Sequence, residues 1–354
     1  MHNTNLDCDI SIFMPVYNGD KYLKQSIESV LNQTFKNFEL VCVDDSSTDK
    51  SYEILKDYAS KDTRVKVFQK QNGGSVPIAW NFIMPYLKGK SITYMSQDDF
   101  MSTDNLQALY NRQEETGADC ILPDMVWYYE EKTNNKIIKG INGDRNKIIT
   151  NREAVTLSLN WDIHGFGLWR AEILKYRKFK EDIFNSDELF IRESFFLCNK
   201  IAFCKGIFYY RQDNKQAITK TFGIKNYYSL VTNFRIYKFL ENNKFDESTL
   251  NFAFITVIYS LFYNYRYSCI YRNKLSQNDH TMIRLMFYKI YKQLNIKQLL
   301  SSSNKEKNIT RFKYLAAYYI FFNYSIFKFF MTLISIYDKC RLQLINRSQL
   351  EFSK

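Results

Sequence analysis

Short apolar runs alternate with amphipathic stretches over the first 125 residues of the chain. The apolar runs predict strands at 10–16, 38–43, 65–68, 92–95 and 119–122. Between them, apolar residues at helical spacing predict helices at 22–31, 51–58, 78–87 and 104–116. Because the strands are apolar on both faces and alternate with helices, they indicate an α/β fold whose parallel sheet is covered on both sides.

From residue 225 onward, nearly the whole chain has the spacing of amphipathic helices. Apolar stripes predict helices over 227–237, 250–271 and 281–300. The segment 314–337 carries a single charge, Lys328, and a polar stripe at about helical spacing. Its length suits a bilayer span, a helix lying in the membrane interface, or a buried helix of a bundle or oligomer. We favour the membrane interface.

The positive charge of the protein is concentrated in this helical region. The chain has a net charge of +12, and residues 225–354 contain 20 Lys/Arg against 7 Asp/Glu. Such a block of charge is typical of a segment that binds an anionic surface, either membrane lipid or nucleic acid. We predict membrane and no nucleic acid, because the aromatic residues lie on helical stripes and not in an exposed stacking pattern.

These patterns predict two domains. Residues 1–224 form an α/β domain, with regular alternation of strands and helices over about 8–125 and a mixed pattern over about 126–224. Residues 225–354 form a basic, aromatic-rich helical region that associates with membranes or mediates a homo-oligomer. The seven cysteines are scattered without CxxC spacing, which indicates reduced thiols. With no apolar signal segment at the N-terminus, we predict a cytoplasmic protein, peripheral on the inner leaflet of the membrane.

Residues suited to ligand binding lie at or directly after the ends of the first four predicted strands. They are Pro15, Tyr17 and Asn18, then Asp44 and Asp45, then Asn72, then Asp98 and Asp99. In open α/β sheets, ligands bind beyond the carboxyl ends of the strands, so these four loops predict one binding site. The two acidic loops, after the second and fourth strands, also have a simpler interpretation, because Ser and Asp commonly cap helices. Asp99, for example, precedes a helix that begins near Asp104.

The motifs in these loops resemble a known family. PVYNGD at 15–20, VDDSSTDKS at 43–51, NGGSVPIAWN at 72–81, SQDD at 96–99 and NSDELFIRE at 185–193 occur in this order. Together they resemble the family 2 glycosyltransferases of GT-A fold. The resemblance implies transfer of a sugar from a nucleoside-diphosphate donor, a UDP-sugar being favoured, with inversion at the anomeric carbon and usually with Mn²⁺ or Mg²⁺.

The resemblance makes residues 8–125 the nucleotide-sugar half of the first domain and residues 126–224 its acceptor half. It also assigns the donor-binding residues. It places the turn of Pro15, Tyr17 and Asn18 against the nucleotide base and ribose. It makes Asp45 the residue that recognises the edge of the base, with Asp44 beside it. It brings Asn72 and Gln97 to the nucleotide sugar.

Two acidic sites carry the chemistry that the resemblance implies. Asp98 would bind both the nucleotide sugar and the metal ion, with Asp99 as a second metal ligand. Asp187 matches the catalytic base, which takes the proton of the acceptor hydroxyl. Glu188 is its rival, although it is equally interpretable as a helix acid beside Arg192.

The chain departs from the family pattern at two positions. Ser96 replaces the first acid of the usual signature, and Trp80 stands where relatives often carry a basic residue. Without this basic residue, the site implied by the resemblance has one cation fewer to bind the diphosphate. We expect it to be replaced from a loop that carries Arg211, Lys215 and Lys220.

Two residues are candidates for the acceptor side. Trp161 and His164 precede LWRAEIL, where relatives place groups that face the acceptor. Trp161 is suited to stack on a sugar ring, but it is equally suited to a core. For His164, a loop histidine bonded to the backbone is the simpler interpretation.

We therefore expect a glycosyltransferase of bacterial surface polysaccharide synthesis, acting on a glycan or a polyprenyl-diphosphate-linked acceptor. The alternative is a catalytically silent nucleotide-sugar fold whose basic tail binds membrane or nucleic acid. A nucleotidyltransferase is disfavoured, because PVYNGDKY is not a glycine-rich phosphate loop.

Overall fold

A computed structural model of the chain describes residues 8–131, 135–175, 177–183, 185–217, 220, 222–300, 308–334 and 336–337. Side chains are described for the same residues except 308–314. The chain divides into two compact units, Met1–Lys220 and Thr221–Lys354.

The first unit contains ten strands and seven α-helices among its described residues. The strands are β1 Cys8–Val16, β2 Phe38–Asp44, β3 Val65–Gln69, β4 Gly89–Tyr94, β5 Phe100–Met101, β6 Cys120–Tyr128, β7 Lys136–Ile138, β8 Ile148–Ile149, β9 Leu168–Arg170 and β10 Ile201–Arg211. The helices are α1 Asp20–Leu31, α2 Ser51–Lys61, α3 Val76–Ile83, α4 Asn105–Thr116, α5 Asn151–Ser158, α6 Ala171–Leu174 and α7 Asp187–Leu197.

The strands form one mixed sheet in the order β3-β2-β1-β4-β9-β6-β10-β5, with β7 paired to β6 and β8 to β10. The first four strands in this order are parallel, as their apolar pattern predicts. The prediction of a wholly parallel sheet is wrong beyond β4, because β9 pairs antiparallel with both β4 and β6. A strand of three residues is too short to show a periodic pattern in the sequence.

The predicted helix over 78–87 also ends early. α3 stops at Ile83, and a short 3₁₀ turn, Met84–Tyr86, follows it. Pro85 lies in this turn, and a proline has no N–H to continue the helical hydrogen bonds. The other predicted elements of the first 125 residues are present, with boundaries shifted by a few residues.

The core of the first unit places the polar loops at one edge of the sheet. β2 is buried over its whole length, and β1 from Ile10 onward. α1 packs on them through Leu23, Ile27 and Val30. Because β1, β2, β3 and β4 run in the same direction, their carboxyl ends lie side by side, and the loops that follow them meet there.

The second unit is helical over its described residues. Its helices are α8 Tyr228–Asn242, α9 Glu247–Ile270, α10 Gln277–Gln293, α11 Asn308–Phe321 and α12 Tyr324–Ile334. Within this described part, no single helix has the length and apolarity needed to cross a membrane. The segment over 315–334 has this length and apolarity only when its two helices are taken together, and these are bent by 108° at a short break. The Asn323 side chain accepts the Ser325 N–H at 2.8 Å in this break.

Part of the sequence prediction lies outside the described residues. The basic residues at 305–307 and 339–347, which flank the apolar segment, belong to this part, as does Cys340. The other six cysteines are free thiols.

Candidate active site

The loop after β1 is bonded to the turn after β4. The Tyr17 N–H donates to Gln97 Oε1 at 2.7 Å, and Gln97 Nε2 donates back to the Tyr17 carbonyl at 2.9 Å. A Cβ atom on Gly19 would collide with the Gln97 amide and displace it from its bonds to Tyr17. Gln97 therefore positions Tyr17, whose side chain is 47% exposed. Pro15 is buried at the end of β1.

The same loop is bonded to the loop after β2. Asn18 has a left-handed backbone, with φ of 49°. Its N–H donates to Ser47 Oγ at 3.1 Å, and its Oδ1 accepts the Thr48 N–H at 2.8 Å. Asp44 is fully buried and accepts from Gln69 Nε2 at 3.0 Å. Asn18 and Asp44 thus hold the two loops in place, and their predicted contacts with a nucleotide stay predictions.

Asp45 joins the loop after β2 to the loop after β3. Its Oδ1 accepts from Lys70 Nζ at 2.6 Å and from the Gly73 N–H at 2.9 Å. Asn72 is exposed and accepts the Gly74 N–H at 2.8 Å. The Lys70 ion pair offsets the charge of a carboxylate that is only 7% exposed. In the sequence, Lys70 differs from other lysines only in its place directly after β3, so its role could not be predicted.

The Asp98-Asp99 turn is fixed from three sides. Ser26 Oγ, on α1, donates to the Asp99 carbonyl at 2.6 Å. The Arg211 N–H, at the end of β10, donates to Asp99 Oδ1 at 2.9 Å. Asn214 Nδ2 donates to Asp98 Oδ2 at 2.7 Å. Asp98 is partly exposed, whereas Asp99 is buried, so Asp98 is the more accessible of the two carboxylates.

The buried guanidinium of Arg211 holds this turn against the sheet. Its Nε donates to the Asp98 carbonyl at 2.8 Å, and its Nη2 donates to Gln25 Oε1 at 2.6 Å. Three aromatic rings surround it, those of Tyr22, Phe100 and Tyr128. Arg211 is therefore a positioning residue of the turn, and its predicted diphosphate contact has no support in these bonds. Lys215 and Lys220, the other two candidates, are exposed.

The two acids of the turn fit a divalent cation. Burial and the charge of Asp98 raise the pKa of Asp99 well above its usual range. The Asp99 Oδ2 atom is buried and has no hydrogen-bond partner in the described part of the chain. A cation at these oxygens would offset the repulsion between the two carboxylates. No cluster of three His, Cys, Asp or Glu that could hold a metal occurs among the described residues. Diphosphate oxygens and water would have to complete the shell.

Asp187 begins α7 and carries a strongly perturbed carboxyl group. Its side chain is exposed, although neighbouring protein removes part of its hydration. This desolvation, helped by the charge of Glu188, raises the pKa of Asp187 to about 7, while backbone N–H groups at the start of α7 act in the opposite direction. A carboxylate with a pKa near neutrality is suited to accept a proton from a hydroxyl group.

Glu188 differs from Asp187 in that it forms an ion pair with a neighbouring cation. Its Oε2 accepts from Arg192 Nη1 at 2.6 Å. Arg192 is 5% exposed, and its Nη2 donates to the Ser158 carbonyl at 2.8 Å. This ion pair gives Glu188 a structural task, whereas none of the described ion pairs involves Asp187. The contacts favour Asp187 over Glu188 as the base.

Two tyrosines link the turn to Asp187. Burial is the main cause that raises the pKa of Tyr94, and burial likewise raises the pKa of Tyr210 to about 12. The charges of Asp98, Asp99 and Asp187 all act on both phenols in the same direction. The three acids therefore all contribute to the electrostatic field at these two phenols. The sequence singled out neither tyrosine.

The acceptor candidates have different surroundings. His164 is buried, its Nε2 donates to the Pro123 carbonyl at 2.8 Å, and its Nδ1 accepts the Phe166 N–H at 3.2 Å. Burial lowers the pKa of His164 to about 4, so the ring is neutral. These bonds match the simpler interpretation of a backbone-bonded histidine. Trp161 is partly exposed and meets the edge of Trp127, with ring centroids 6.2 Å apart.

Trp80 lies in an aromatic core. It is 4% exposed, and its ring packs edge-on against Phe13 at 5.4 Å and against Phe179 at 5.3 Å. The position where related sequences often carry a basic residue is thus filled by an apolar ring in this chain. Packing against these rings accounts for Trp80.

Comparison with known proteins identifies the family. The family described as glycosyl transferase family 2 matches residues 11–176. Glycosyltransferase GlyG of Streptococcus pneumoniae serotype 4 is 30% identical over 223 residues, which cover 60% of this chain and 73% of GlyG. The poly(ribitol-phosphate) beta-glucosyltransferase of Bacillus spizizenii is 34% identical over 116 residues, covering 32% of this chain but only 18% of that protein.

A solved structure shares the fold. S. aureus TarS residues 1–349, in complex with UDP-GlcNAc, superposes with a TM-score of 0.62 at 18% sequence identity. The match covers 88% of this chain and 90% of the TarS chain. At this identity the likeness concerns the fold alone.

Proposed function

The chain belongs to glycosyl transferase family 2, and from this premise we propose an inverting sugar transfer from a UDP-sugar to a hydroxyl group of a glycan or lipid-linked acceptor. The family, the enzyme class and the GT-A fold predicted from the motifs are confirmed. The setting is the synthesis of bacterial surface glycans, as for the poly(ribitol-phosphate) glucosyltransferase that the chain resembles.

One observation carries the proposal: the four loops after the parallel strands are bonded to one another and present their acids at one edge of the sheet. Tyr17 is bonded to Gln97, and Asp45 to Gly73. The charge of Asp187 raises the pKa of Tyr94 and of Tyr210, as do the charges of Asp98 and Asp99. A UDP-sugar fits such a site, as UDP-GlcNAc does in TarS.

The site residues then have separate tasks. The exposed Tyr17 lies against the base, and Asp45 accepts a hydrogen bond from its edge. Asp98 and Asp99 would hold Mn²⁺ or Mg²⁺, which, when bound, neutralises charge on the leaving diphosphate. Asp187 accepts the proton of the acceptor hydroxyl, which attacks the anomeric carbon from the face opposite the diphosphate. The bond to the diphosphate breaks as the new glycosidic bond forms.

Nucleoside-diphosphate release tests this function. The purified protein is mixed with a panel of UDP-, GDP- and dTDP-sugars and Mn²⁺ or Mg²⁺, with and without glycan acceptors. We expect release from a UDP-sugar, faster with the correct acceptor and lost on chelation of the metal. Binding of UDP without release from any donor would instead support a catalytically silent protein.

We propose that the second unit attaches the enzyme to the cytoplasmic face of the membrane. α12 buries Phe327 and Met331, yet it exposes large apolar side chains on its other faces, including Phe329, Phe330 and Leu333. Phe329 is 62% exposed, which is unusual for a phenylalanine in water. The excess of Lys/Arg over Asp/Glu in residues 225–354 complements an anionic lipid surface.

Replacing Phe329 and Phe330 together by Glu is expected to abolish binding to vesicles, because two carboxylates oppose both apolar insertion and an anionic surface. The measurement is cosedimentation with phosphatidylglycerol vesicles, compared with phosphatidylcholine vesicles. Tyr86→Glu is the matched control, since Tyr86 is 53% exposed in the first unit. Unchanged sedimentation of the double variant would refute the attachment. A change from oligomer to monomer in light scattering would identify a protein interface instead.

A further inference from the structure

One face of α9 exposes aromatic rings to solvent along most of the helix. Its members are Phe252, Tyr259, Tyr263 and Tyr267, whose exposed fractions lie between 43% and 54%. Residues four and seven positions apart lie on the same side of an α-helix, so the four rings form one line. We call these four residues the aromatic stripe. The proposed sugar transfer and the proposed membrane attachment use none of them.

The stripe faces away from the core of the second unit. The residues that α9 buries lie on its opposite side, and they include Phe254, Val257, Ile258 and Leu261. Tyr265 points to that side as well, and its ring meets Phe327 of α12 with the centroids 5.1 Å apart. Packing within the described part of this unit therefore accounts for one side of α9 and leaves the stripe in contact with solvent.

The stripe is uncharged over most of its length. From Thr249 to Tyr265, α9 contains none of Asp, Glu, Lys and Arg. On α10, by contrast, the exposed Leu285 has the exposed cations Arg284 and Lys289 as neighbours on the helix. Cations next to apolar side chains suit an anionic lipid surface, whereas the centre of a protein interface is depleted of charge and enriched in Tyr and Phe. The stripe thus has the composition of a protein interface.

We propose that the aromatic stripe is the contact between two copies of this chain, with the two α9 helices antiparallel across a twofold axis. Each copy has a net charge of +12, so two copies repel each other and meet most readily at an uncharged face. A twofold contact joins a surface to its own copy, so the surface must be self-complementary. Neutral aromatic rings meet this condition, because they pack favourably against other aromatic rings.

The two ends of α9 carry opposite charge, which favours the antiparallel arrangement. The start of the helix has two acids, Asp246 and Glu247, against one cation, Lys244. The last turn and the residues that follow it carry three cations, which are Arg266, Arg272 and Lys274. Antiparallel pairing brings the acidic start of each helix towards the basic end of the other, whereas parallel pairing would bring like charges together.

The stripe is large enough to form the centre of a dimer interface. A buried aromatic side chain removes about 150–250 Å² from water, so four half-exposed rings would bury on the order of 400 Å² in each copy. A standard interface takes about 800 Å² from each partner. Three partly exposed residues flank the stripe and would supply part of the remaining area, namely Ile255, Phe262 and Ile270. We therefore expect a reversible dimer.

Replacing Tyr259 and Tyr263 together by Ser removes four rings from a dimer without adding charge. Both side chains are about half exposed, so the fold of the single chain should persist. We expect the dissociation constant of the dimer to rise by on the order of 10²- to 10³-fold. The measurement is sedimentation equilibrium of the full chain over a range of concentrations. Tyr86→Ser is the matched control, since Tyr86 is 53% exposed in the first unit, and it should leave the dimer unchanged.

Charge substitutions at the start of α9 test the antiparallel arrangement. Lys244→Glu makes this end more acidic, so it should tighten an antiparallel dimer several-fold, whereas Glu247→Lys should weaken it. Lys66→Glu is the control, because it makes the same change of net charge at an exposed position of β3. In a parallel dimer the two substitutions near α9 would have the opposite effects, and that result would overturn the arrangement.

Other occupants of the stripe would leave different results. A wild-type chain that stays monomeric, or a dimer that the double Ser variant leaves unchanged, would overturn the proposal. In a monomeric chain, loss of binding to phosphatidylglycerol vesicles by this variant would assign the stripe to lipid. Loss of thermal stability would instead assign it to a segment of the same chain outside the described residues. The dimer does not depend on sugar transfer, so a chain that dimerises but releases no UDP would refute the enzymatic function alone.

Discussion

Replacing Asp187 by Asn is expected to lower sugar transfer by on the order of 10²- to 10⁴-fold, the usual contribution of a general base. Asn has nearly the same shape but cannot take the proton of the acceptor hydroxyl at neutral pH. The nucleotide contacts lie in other loops, so the affinity for UDP should not change. The measurement is the transfer rate at saturating donor, together with the dissociation constant of UDP by calorimetry.

Glu188→Gln is the matched comparison, because it removes the neighbouring carboxylate with the same change of atoms. It breaks the ion pair with Arg192, which is 5% exposed, so we expect mainly a loss of stability. If Glu188→Gln abolished transfer in a protein that remained folded, while Asp187→Asn did not, the two roles would have to be exchanged.

The raised pKa of Asp187 also predicts a pH profile. Below a pH of about 7, the carboxyl group is increasingly protonated, and kcat/KM should fall about tenfold for each pH unit. This acidic limb should be absent from the residual activity of Asp187→Asn. If the acidic limb of the wild-type profile had a pKa near 4, the surroundings of Asp187 would not raise its pKa.

Stability should follow the same titration with a defined sign. The folded state holds the Asp187 proton more tightly than the unfolded state, in which Asp has a pKa of about 3.9. The stabilising effect of this proton is complete below that pH and is lost as the pH rises through about 7. Asp187→Asn should therefore gain thermal stability relative to the wild type as the pH rises from about 4 to about 8.

The sequence predicted the nucleotide-binding half of the sheet well because its strands are long and apolar on both faces. β1 and β2 are buried along almost their whole length, which leaves a clear pattern. The other half depends on β9, which has three residues, and on an irregularity in β10 between Phe203 and Ile207. Neither feature has a period that a sequence can show.

Side-chain roles were harder to predict where they depend on contacts between distant residues. Arg211 was assigned to a diphosphate-binding loop, but it ends β10 and bonds the Asp98 carbonyl, 113 residues earlier in the chain. Asn214 reaches Asp98 across 116 residues. The pattern of parallel strands is enough to predict that their loops meet at one edge of the sheet. The contacts of Arg211 and Asn214 depend instead on the path of β10 through the folded chain, which the sequence pattern does not show.

Asp98→Asn is the second substitution for which we expect a large loss, on the order of 10²- to 10³-fold in kcat at a fixed Mn²⁺ concentration. A metal that stabilises the leaving diphosphate contributes several kcal/mol, and each 1.36 kcal/mol corresponds to about tenfold in rate. The substitution keeps an oxygen for the 2.7 Å bond from Asn214, so the turn should retain its shape. Asp57→Asn is the control, because Asp57 forms an exposed ion pair with Lys61 on α2.

The Mn²⁺ dependence distinguishes a lost metal ligand from a distorted turn. If Asp98 binds the metal, the variant should need a higher Mn²⁺ concentration for half-maximal activity and should recover part of its rate at saturation. It should also bind less Mn²⁺ in the presence of UDP, as measured by electron paramagnetic resonance of the free ion. A distorted turn would lower the rate equally at all Mn²⁺ concentrations and lower the melting temperature, because Asp99 and Arg211 are buried beside it. An unchanged Mn²⁺ dependence in a stable variant would therefore remove Asp98 from the metal site and leave Asp99 as the remaining carboxylate of the turn.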